Sequence, residues 1–390
     1  MNPEANRCLL CRNARCSAAC PVSTDVPTAM RLYREGRLQE AALMLFENNP
    51  LSAITSQVCD WKRLCYGHCI LNAKKVPVRW YEIEQEISMP YLLEAAKILV
   101  PQKDIGKKVA IVGAGPAGIC AAIWLRQKGI AVDLYDRFER IGGVLRYGIP
   151  DFRLDKKYVD AYEKLLKETG VVFHPGKTLG KDILLGDLQS SNDAVLIAAG
   201  AWIAREMRIP GEDNPKVIHA LEFLTDPSKW ELGRKVLVIG GGNVAMDACR
   251  TAARLGCDTT VVYRKTFENM PANSLEVDEA KEDGVKFEVF KVPVEVRSDA
   301  GRTYAIVRDC ENYTREDGSL ATRILDGTDS RMDFDSMIVA VSESADKSLL
   351  AEQSEGVFTC GDYAYGPKTV VAAVQSAKET VAQILNYLGL

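Results

Sequence analysis

Two stretches of the chain repeat the same order of apolar strand, glycine turn, amphipathic helix and second apolar strand. The first is KKVAIVGAGPAGICAAIWLRQKGIAVDLYD over residues 107–136, and the second is RKVLVIGGGNVAMDACRTAARLGCDTTVVYRK over residues 234–265. A short apolar run is typical of a buried parallel strand, and the period near 3.6 residues that follows is typical of a helix packed on a sheet. Each stretch therefore predicts one βαβ unit.

The sequence outside these two stretches predicts a helical N-terminal region and a C-terminal segment that completes the domain containing the first unit. Helical periodicity covers residues 28–46 and 81–99, short β-rich runs alternate with turns over 284–341, and a strand, a glycine turn and a helix follow Val357. We expect an α/β fold with a helical N-terminal region and two interleaved Rossmann-like domains. The predicted boundaries are 1–104 for the helical region, 105–228 with 342–390 for the first Rossmann-like domain, and 229–341 for the second.

The composition and charge of the chain argue against nucleic acid and membranes as partners. The chain has 390 residues, 47% of them hydrophobic, and a formal net charge of −4, without a Lys/Arg-rich run, so nucleic acid is not an expected partner. No stretch approaches the ~20 apolar residues of a membrane helix, and the start MNPEANRC lacks the pattern of a signal peptide. We expect a cytoplasmic protein without membrane partners.

The first glycine turn predicts a dinucleotide site. Gly113, Gly115 and Gly118 fit GxGxxG, in which glycines permit a tight turn, the approach of a pyrophosphate and close packing of helix on strand. Asp136 follows at the end of the next strand, where a carboxylate can hold both hydroxyls of an adenosine ribose.

The second turn differs at the end of its second strand. Residues 240–245 fit GxGxxA, but the place of Asp136 is taken by Tyr263, followed by Arg264 and Lys265. Two cations at a strand end suit the 2′-phosphate of NADP(H), whereas a carboxylate would favour NAD(H). NADP(H) is therefore expected, with NAD(H) as the alternative, since a basic pair can equally form a solvated surface.

Two nucleotide folds in one chain, with the Gly361–Asp362 pair near the C-terminus, predict a flavin site and a nicotinamide site between which a hydride passes. The flavin supplies the chemistry of such a transfer, so no catalytic side chain is expected.

Seven of the 12 cysteines lie within the first 69 residues. Such clustering in a reducing compartment indicates metal or cluster ligation more than disulfides. We favour two 4Fe–4S clusters because an x3-Cys-Pro ending resembles the ferredoxin pattern and because the downstream folds are redox folds; zinc or unligated thiols are the alternatives. The two groups are Cys8-x2-Cys11-x4-Cys16-x3-Cys20-Pro21 and Cys59-x5-Cys65-x3-Cys69.

In combination, the helical cysteine region and several motifs resemble one known family. The motifs are GAGPAG, GIPDFRL, IPGED, GGGNVAMD, YRK, MPA and GDYAYGPKTVV. The family includes the glutamate synthase small subunit, the N-terminal half of dihydropyrimidine dehydrogenase and its separate bacterial subunit, and the large subunit of NADH-dependent ferredoxin:NADP oxidoreductase. The resemblance covers nearly the whole chain and implies a helical domain with two 4Fe–4S clusters, an FAD domain and an NAD(P)H domain.

The resemblance also implies the cluster ligands. Its last ligand in relatives is a Gln or Glu, which falls at Glu84, with Gln85 as the alternative; adjacent helical side chains point about 100° apart, so only one can face the cluster. The implied sets are Cys8, Cys11, Cys16 and Cys69 for one cluster, and Cys20, Cys59, Cys65 and Glu84 for the other.

The nucleotide ligands follow from the same resemblance. For FAD they are Gly113, Ala114, Gly115, Pro116, Ala117, Gly118, Asp136, Arg137, Gly142, Gly143, Val144, Arg153, Leu179, Gly361, Asp362, Lys368 and Thr369. For NADP(H) they are Gly240, Gly241, Gly242, Asn243 and Val244, with Arg264 and Lys265 at the 2′-phosphate.

The implied function is that of an oxidoreductase subunit that takes hydride from NAD(P)H to FAD and passes single electrons through the clusters to a partner, either an FMN-barrel subunit or a ferredoxin-like acceptor. A ferredoxin-linked or bifurcating enzyme that runs in either direction is one alternative. A non-catalytic structural or redox-sensing subunit is another, because the linker between Val341 and Val357 is shorter than in relatives and Gln375 and Ser376 replace a glycine-containing stretch.

Overall fold

The computed structural model describes residues 2–99, 103–349 and 354–390, which form two compact units. The first unit contains Met1–Arg146, Asp151–Ala201 and Ser344–Leu390, and the second contains Tyr147–Pro150 and Trp202–Glu343. Residues 100–102 and 350–353, which fall within the predicted domains 1–104 and 342–390, lie outside the described residues.

Helices and strands alternate through most of the chain. The helices are Glu4–Arg7 (α1), Arg15–Ala18 (α2), Val26–Arg34 (α3), Leu38–Asn48 (α4), Ser52–Val58 (α5), Trp80–Leu99 (α6), Pro116–Gln127 (α7), Val144–Tyr147 (α8), Lys156–Glu168 (α9), Leu185–Ser191 (α10), Ala220–Thr225 (α11), Asn243–Arg254 (α12), Ser274–Glu282 (α13), Gly361–Tyr365 (α14) and Val370–Tyr387 (α15). The strands are Lys108–Val112 (β1), Ala131–Tyr135 (β2), Val172–His174 (β3), Ala194–Ile197 (β4), Ile203–Ala204 (β5), Val217–His219 (β6), Lys235–Ile239 (β7), Asp258–Tyr263 (β8), Lys286–Val289 (β9), Lys291–Asp299 (β10), Arg302–Thr314 (β11), Leu320–Ile324 (β12), Ser330–Phe334 (β13), Ser336–Val339 (β14), Glu343–Ser344 (β15) and Val357–Thr359 (β16).

The first unit contains a five-stranded sheet in the order β16–β4–β1–β2–β3. All neighbouring strands are parallel, and β1 pairs with β2 from Lys108 opposite Ala131 to Val112 opposite Tyr135. The apolar run of β1 is buried on both faces, as expected for a central parallel strand. Helix α7 is buried over most of its length and packs against α15 from the tail. The tail therefore completes this sheet, as the sequence predicts.

The N-terminal helices have a core of their own within the first unit and pack directly on the sheet domain. The core includes Met30, Leu45 and Ile83. Trp124 Nε1 donates a hydrogen bond to the Glu47 carbonyl at 2.9 Å, and Tyr162 Oη donates to the Pro50 carbonyl at 2.6 Å. The corner between α4 and α5 is therefore fixed to the helices that cover the first sheet.

The single helix predicted over residues 28–46 is wrong. The structure has α3 and α4 instead, because Gly36 adopts a φ of +74°, a left-handed conformation that ends a helix. Asp25 caps α3 by accepting a hydrogen bond from Thr28 N at 3.3 Å, so the helix begins at Val26, two residues earlier than predicted.

The second unit contains a parallel sheet in the order β6–β14–β7–β8–β9 and an antiparallel sheet of β10, β11, β12 and β13. Strand β6 pairs with β14, so the segment after residue 201 belongs to this unit. These contacts group residues 202–228 with the second unit, whereas the boundary predicted from the sequence lies at 228/229. The predicted α/β class with two Rossmann-like sheets is confirmed. No helix among the described ranges is long and apolar enough to cross a membrane.

Candidate functional site

The first glycine turn connects β1 to α7. Gly113 has a φ of +108°, and a Cβ atom there would lie 2.3 Å from the Ala198 carbonyl oxygen. A Cβ atom at Gly118 would lie 1.8 Å from the Gly113 carbonyl oxygen, so the backbone itself requires both glycines. A Cβ atom at Gly115 would meet only the Gly143 Cα, at 3.8 Å. This side of the turn can therefore receive a phosphate at the N-terminus of α7.

Asp136 closes the turn from the end of β2. The side chain is 7% exposed, and its two oxygens accept hydrogen bonds from Ala114 N at 2.6 Å and Phe138 N at 2.9 Å. Burial raises the pKa of Asp136, and these backbone hydrogen bonds oppose the increase. Each oxygen retains a lone pair for a further donor. Gly142 N donates to the Ala114 carbonyl at 2.8 Å and so holds the following loop on the turn. The arrangement fits an adenosine ribose and pyrophosphate.

The tail brings a second set of predicted residues to this turn. A Cβ atom at Gly361, which has a φ of +64°, would lie 3.0 Å from the Ala117 Cβ. Gly361 N donates to Ser376 Oγ at 2.9 Å, so Ser376, a departure from relatives in the sequence, supplies a structural acceptor. Asp362 accepts from Lys368 N at 3.1 Å, and burial raises the pKa of its carboxyl to about 6.

The other residues assigned to FAD lie in the same unit. Thr369 begins α15 and accepts a hydrogen bond from Ala372 N at 3.3 Å. Leu179 is buried in one apolar cluster with Val112 and Tyr363, between the end of β1 and the tail. Pro116 and Val144 begin α7 and α8, Arg137 is exposed and Arg153 is half-buried.

The second glycine turn connects β7 to α12. Gly240 has a φ of +146°, and a Cβ atom there would lie 2.3 Å from the Ala340 carbonyl oxygen. A Cβ atom at Gly241 would lie 2.6 Å from two ring carbons of Tyr263. The Tyr263 hydroxyl donates to the Asn269 carbonyl at 2.9 Å, which fixes the far end of the ring. The ring therefore occupies the position that a carboxylate occupies in the first turn.

The segment after Met270 covers the second turn. Ala272 N donates to the Gly241 carbonyl at 3.1 Å, and Asn273 N donates to Asn243 Oδ1 at 2.9 Å. This segment contains the MPA motif, which in the sequence is only a marker of the family. Its structural role was not predicted, because it depends on contacts between residues about 30 positions apart.

Arg264 and Lys265 follow directly after β8. In residues 2–99, 103–349 and 354–390 neither side chain has a hydrogen-bond or ion-pair partner, and Arg264 is exposed. In contrast, Arg250 in the neighbouring helix is 4% exposed and pairs with Glu276 and Asp283 at 2.8 Å each. The two cations after β8 are therefore free to bind an external anion.

Five cysteines line one cavity of the N-terminal helical region. Burial raises the pKa of the Cys8 thiol, and the charges of Cys11 and Cys69 add to the increase. Burial also raises the pKa of Cys16 to about 11, with contributions from Cys69 and Cys8. Arg34 donates a hydrogen bond to the Cys8 carbonyl at 2.5 Å and places a positive charge beside this group. The cysteines lining the cavity are Cys8, Cys11, Cys16, Cys65 and Cys69.

Cys20, Cys59 and Cys65 form a second group, which lies close to Glu84. Burial raises the pKa of Cys59 well above its usual value, and the charges of Glu84, Cys65 and Cys20 add to it. The pKa of Cys65 is raised by burial and by the same two neighbours, Glu84 and Cys20, with a smaller contribution from Cys16 of the first group. Cys65 therefore lies where the two groups meet.

Glu84 and Gln85 point in different directions. Glu84 is 9% exposed; burial raises its pKa to about 8, and a hydrogen bond from the Trp80 side chain opposes the increase. Gln85 Nε2 donates to the Ser56 carbonyl at 3.0 Å. The side chains available as donors are thus seven thiols and the Glu84 carboxyl, which lies close to Cys59 and Cys65. All are free of disulfides, so their chemistry fits two iron–sulfur clusters.

Comparison with known proteins agrees with this geometry. Residues 107–377 match the pyridine nucleotide-disulphide oxidoreductase family, and residues 1–91 match dihydropyrimidine dehydrogenase domain II, 4Fe-4S cluster. The glutamate synthase [NADPH] small chain of Azospirillum brasilense is 32% identical, covering 99% of this chain and 89% of that protein. The NAD-dependent dihydropyrimidine dehydrogenase subunit PreT of Escherichia coli is 31% identical, covering 99% and 93%.

Solved structures agree in fold. Mycobacterium tuberculosis FprA in complex with NADPH superposes with a TM-score of 0.64 at 19% identity, covering 73% of this chain and 85% of that one. A 2-naphthoyl-CoA reductase superposes with a TM-score of 0.60 at 20% identity, covering 92% of this chain and 52% of that one.

Fold and site together define a flavin- and nicotinamide-dependent oxidoreductase with an added iron–sulfur domain. The chain belongs to the pyridine nucleotide-disulphide oxidoreductase family, in the group that includes the glutamate synthase small chain and the dihydropyrimidine dehydrogenase subunit PreT. The predicted resemblance and the predicted cofactors, FAD, NAD(P)(H) and 4Fe–4S, are confirmed. The match to a 4Fe–4S domain decides against the zinc alternative.

Proposed function

We propose that this chain is the electron-input subunit of a larger oxidoreductase, which takes a hydride from NADPH on FAD and delivers single electrons through two 4Fe–4S clusters to a partner subunit. The observation that carries the proposal is that both cysteine groups and the first glycine turn occur in one compact unit. The relatives' own names, small chain and subunit, support a role within a complex.

The two glycine turns take different nucleotides in this proposal. FAD, when bound, accepts the two electrons of a hydride together and releases them one at a time. Asp136 holds the ribose of FAD, and the open side of the turn at Gly115 receives its pyrophosphate. Arg264 and Lys265 hold the 2′-phosphate of NADPH, which is supported by their lack of partners within the described part of the chain.

The cysteine groups hold the clusters in the pairing implied by the family. Glu84 is the last ligand of the second cluster: it is buried and acts electrostatically on Cys59 and Cys65, whereas Gln85 is engaged with the Ser56 carbonyl. A Glu84→Ala variant is expected to lose about half of the iron. Gln85→Ala is the matched control and should retain all of it.

The surface around the first cysteine cavity supports a protein partner with an acidic face. Leu9 and Ile70 line the cavity and are 62% and 48% exposed. Some cations of this region form ion pairs, as Arg7 does with Glu4 at 2.7 Å. Four exposed cations of the described residues near the cavity have no such partner: Arg12, Arg15, Lys74 and Lys75. An acidic redox protein complements this mixed apolar and basic surface.

The partner proposal can be tested with an acidic plant-type ferredoxin as the probe. Reversing two charges with Arg12→Glu and Arg15→Glu is expected to weaken binding in calorimetry about tenfold at low salt, and high salt should remove the difference. Arg302→Glu, at an exposed cation of the second unit, is the control. Equal affinity for the reversed and control variants would reject the surface.

The function is tested by an anaerobic visible spectrum of the purified chain, with iron and sulfide counted, before and after addition of NADPH or NADH. We expect flavin bands, about eight iron per chain from two clusters of four, and faster bleaching by NADPH. Cys11→Ser should lose about half the iron, whereas Cys257→Ser, outside both groups, should lose none. If reduced ferredoxin reduces NADP⁺ through this chain faster than NADPH reduces the flavin, the ferredoxin-linked alternative is favoured. If neither NADPH nor NADH bleaches the flavin, the non-catalytic alternative is favoured.

A further inference from the structure

Helix α15 reaches from the flavin-site residues to the second cysteine group. Near its start, Ser376 Oγ accepts the Gly361 N hydrogen bond at 2.9 Å. Two residues later, Lys378 Nζ donates to Asn48 Oδ1 at 2.6 Å, in the corner after α4. A single helix therefore contacts both the tail of the first glycine turn and the cysteine-bearing region.

A hydrogen-bonded path continues from Lys378 to a cysteine. Asn48 Nδ2 donates to Thr24 Oγ1 at 3.5 Å, and Thr24 Oγ1 lies 3.4 Å from Cys20 Sγ. Thr24, in the middle of this path, is 3% exposed. Residues of three separate segments thus connect Lys378 to a thiol of the second group.

Among the described residues, Lys378 forms no ion pair with a carboxylate. Its hydrogen-bond acceptor is an amide, and the side chain is half-buried. Burial lowers the pKa of Lys378, while the charges of Cys20 and Glu47 act in the opposite direction. Its positive charge therefore lies close enough to interact with Cys20 of the second cysteine group, as well as with Glu47.

We propose that Lys378 is a positioning residue that raises the reduction potential of the second cluster through its charge. The inference rests on the proposed function, in which Cys20 ligates that cluster. Reduction adds negative charge to a cluster, and a nearby cation in a medium of low dielectric constant stabilises the added charge. Because Lys378 belongs to the helix that supports the flavin-site tail, the same helix favours acceptance of electrons at the second cluster.

The test is an EPR redox titration of the iron-loaded full chain carrying Lys378→Met, which keeps the apolar stem and removes the charge. At a fixed solution potential, the ratio of reduced to oxidised second cluster should fall about tenfold, equivalent to about 59 mV for a one-electron couple. The first cluster should change less than about twofold. Lys378→Arg should restore the ratio, and Lys128→Met, at an exposed lysine of the same unit, should not affect it.

Two further variants separate charge from structure. Thr24→Val removes the hydroxyl contact to Cys20 Sγ but keeps the charge of Lys378, so the ratio should fall less than in Lys378→Met. If Lys378→Met loses iron, Lys378→Gln serves in its place, because it also removes the charge but keeps a polar side chain. The ratio of reduced to oxidised second cluster should fall by the same factor. If Lys378→Met or Lys378→Gln keeps its iron and the ratio of reduced to oxidised second cluster does not change, the inference is overturned and the proposed function stays intact. Absence of iron from the wild-type chain would overturn both.

Discussion

In the first βαβ unit, the second strand ends in a buried carboxylate, and in the second unit it ends in a tyrosine ring. Asp136 accepts its hydrogen bond from Ala114 N, and Ala114 is fully buried beside it. Tyr263 stands at the equivalent place, where a Cβ atom on Gly241 would lie 2.6 Å from its ring. The small carboxylate therefore allows alanine in the first turn, and the ring requires glycine in the second. The residue at the second position of each turn therefore depends on the residue at the end of the second strand.

The two turns also differ where the helix begins. Gly118 has no room for a Cβ atom because the Gly113 carbonyl oxygen would lie 1.8 Å away, whereas the equivalent residue of the second turn is Ala245, which is fully buried. The first turn is therefore the tighter of the two. Nucleotide preference and turn geometry thus differ together between the units.

The largest expected effect is from Gly118→Ala. The new Cβ atom displaces the Gly113 carbonyl and with it the backbone N–H groups that face the pyrophosphate, so the FAD content of the purified chain should fall below about a tenth of the wild-type value. The measurement is the flavin absorbance per chain. Ala245→Gly is the reciprocal control: it should cost about 1 kcal/mol of stability and leave FAD bound. Full FAD content in Gly118→Ala would mean that the two turns are equally tight.

The next effect concerns nucleotide choice in the second unit. Removing both free cations with Arg264→Ala and Lys265→Ala deletes charge-assisted hydrogen bonds of about 1.5 kcal/mol each, so the KM for NADPH should rise about a hundredfold. The KM for NADH should change less than about twofold, because NADH has no 2′-phosphate. Steady-state reduction of ferricyanide with each nucleotide measures both values. An equal rise for both would place the two cations away from the 2′-phosphate.

Much of this comparison could be predicted from the sequence because its causes are local. The apolar runs, the turn glycines, Asp136 and the Tyr263–Arg264–Lys265 segment all express what one strand or one turn requires. The break at Gly36 also had a local signal, a glycine inside a helical pattern, which the predicted helix over 28–46 overlooked.

The rest depends on contacts between distant residues. Glu84 and Gln85 could not be distinguished by the sequence, since the hydrogen bond of Gln85 reaches Ser56 on another helix. The grouping of residues 202–228 with the second unit depends on the pairing of Val217–His219 with Ser336–Val339, which are separated by most of the second unit. The role of Ser376 depends in the same way on Gly361, which precedes its helix.

A smaller effect is expected from Asp136→Ala. Loss of a carboxylate that both organises the turn and accepts from the ribose should weaken FAD by about 2 kcal/mol, or about thirtyfold. Flavin release on dilution, followed by fluorescence, measures the affinity. Asp136→Asn keeps one acceptor oxygen, so its affinity for FAD should decrease less than that of Asp136→Ala. If both variants bind FAD as the wild type does, the carboxylate is not what distinguishes the first unit from the second.

The smallest effect tests whether glycine and tyrosine are coupled in the second turn. Gly241→Ala forces a methyl group against a ring whose hydroxyl is held by the Asn269 carbonyl at 2.9 Å, so the free energy of unfolding of this unit should fall by about 1–3 kcal/mol. Tyr263→Ala removes the ring. In a double-mutant cycle measured by urea unfolding, adding Gly241→Ala to Tyr263→Ala should cost at least about 0.5 kcal/mol less than adding it to the wild type. Additive values would mean that the ring does not impose glycine at position 241, and that the two turns differ there for a reason other than packing.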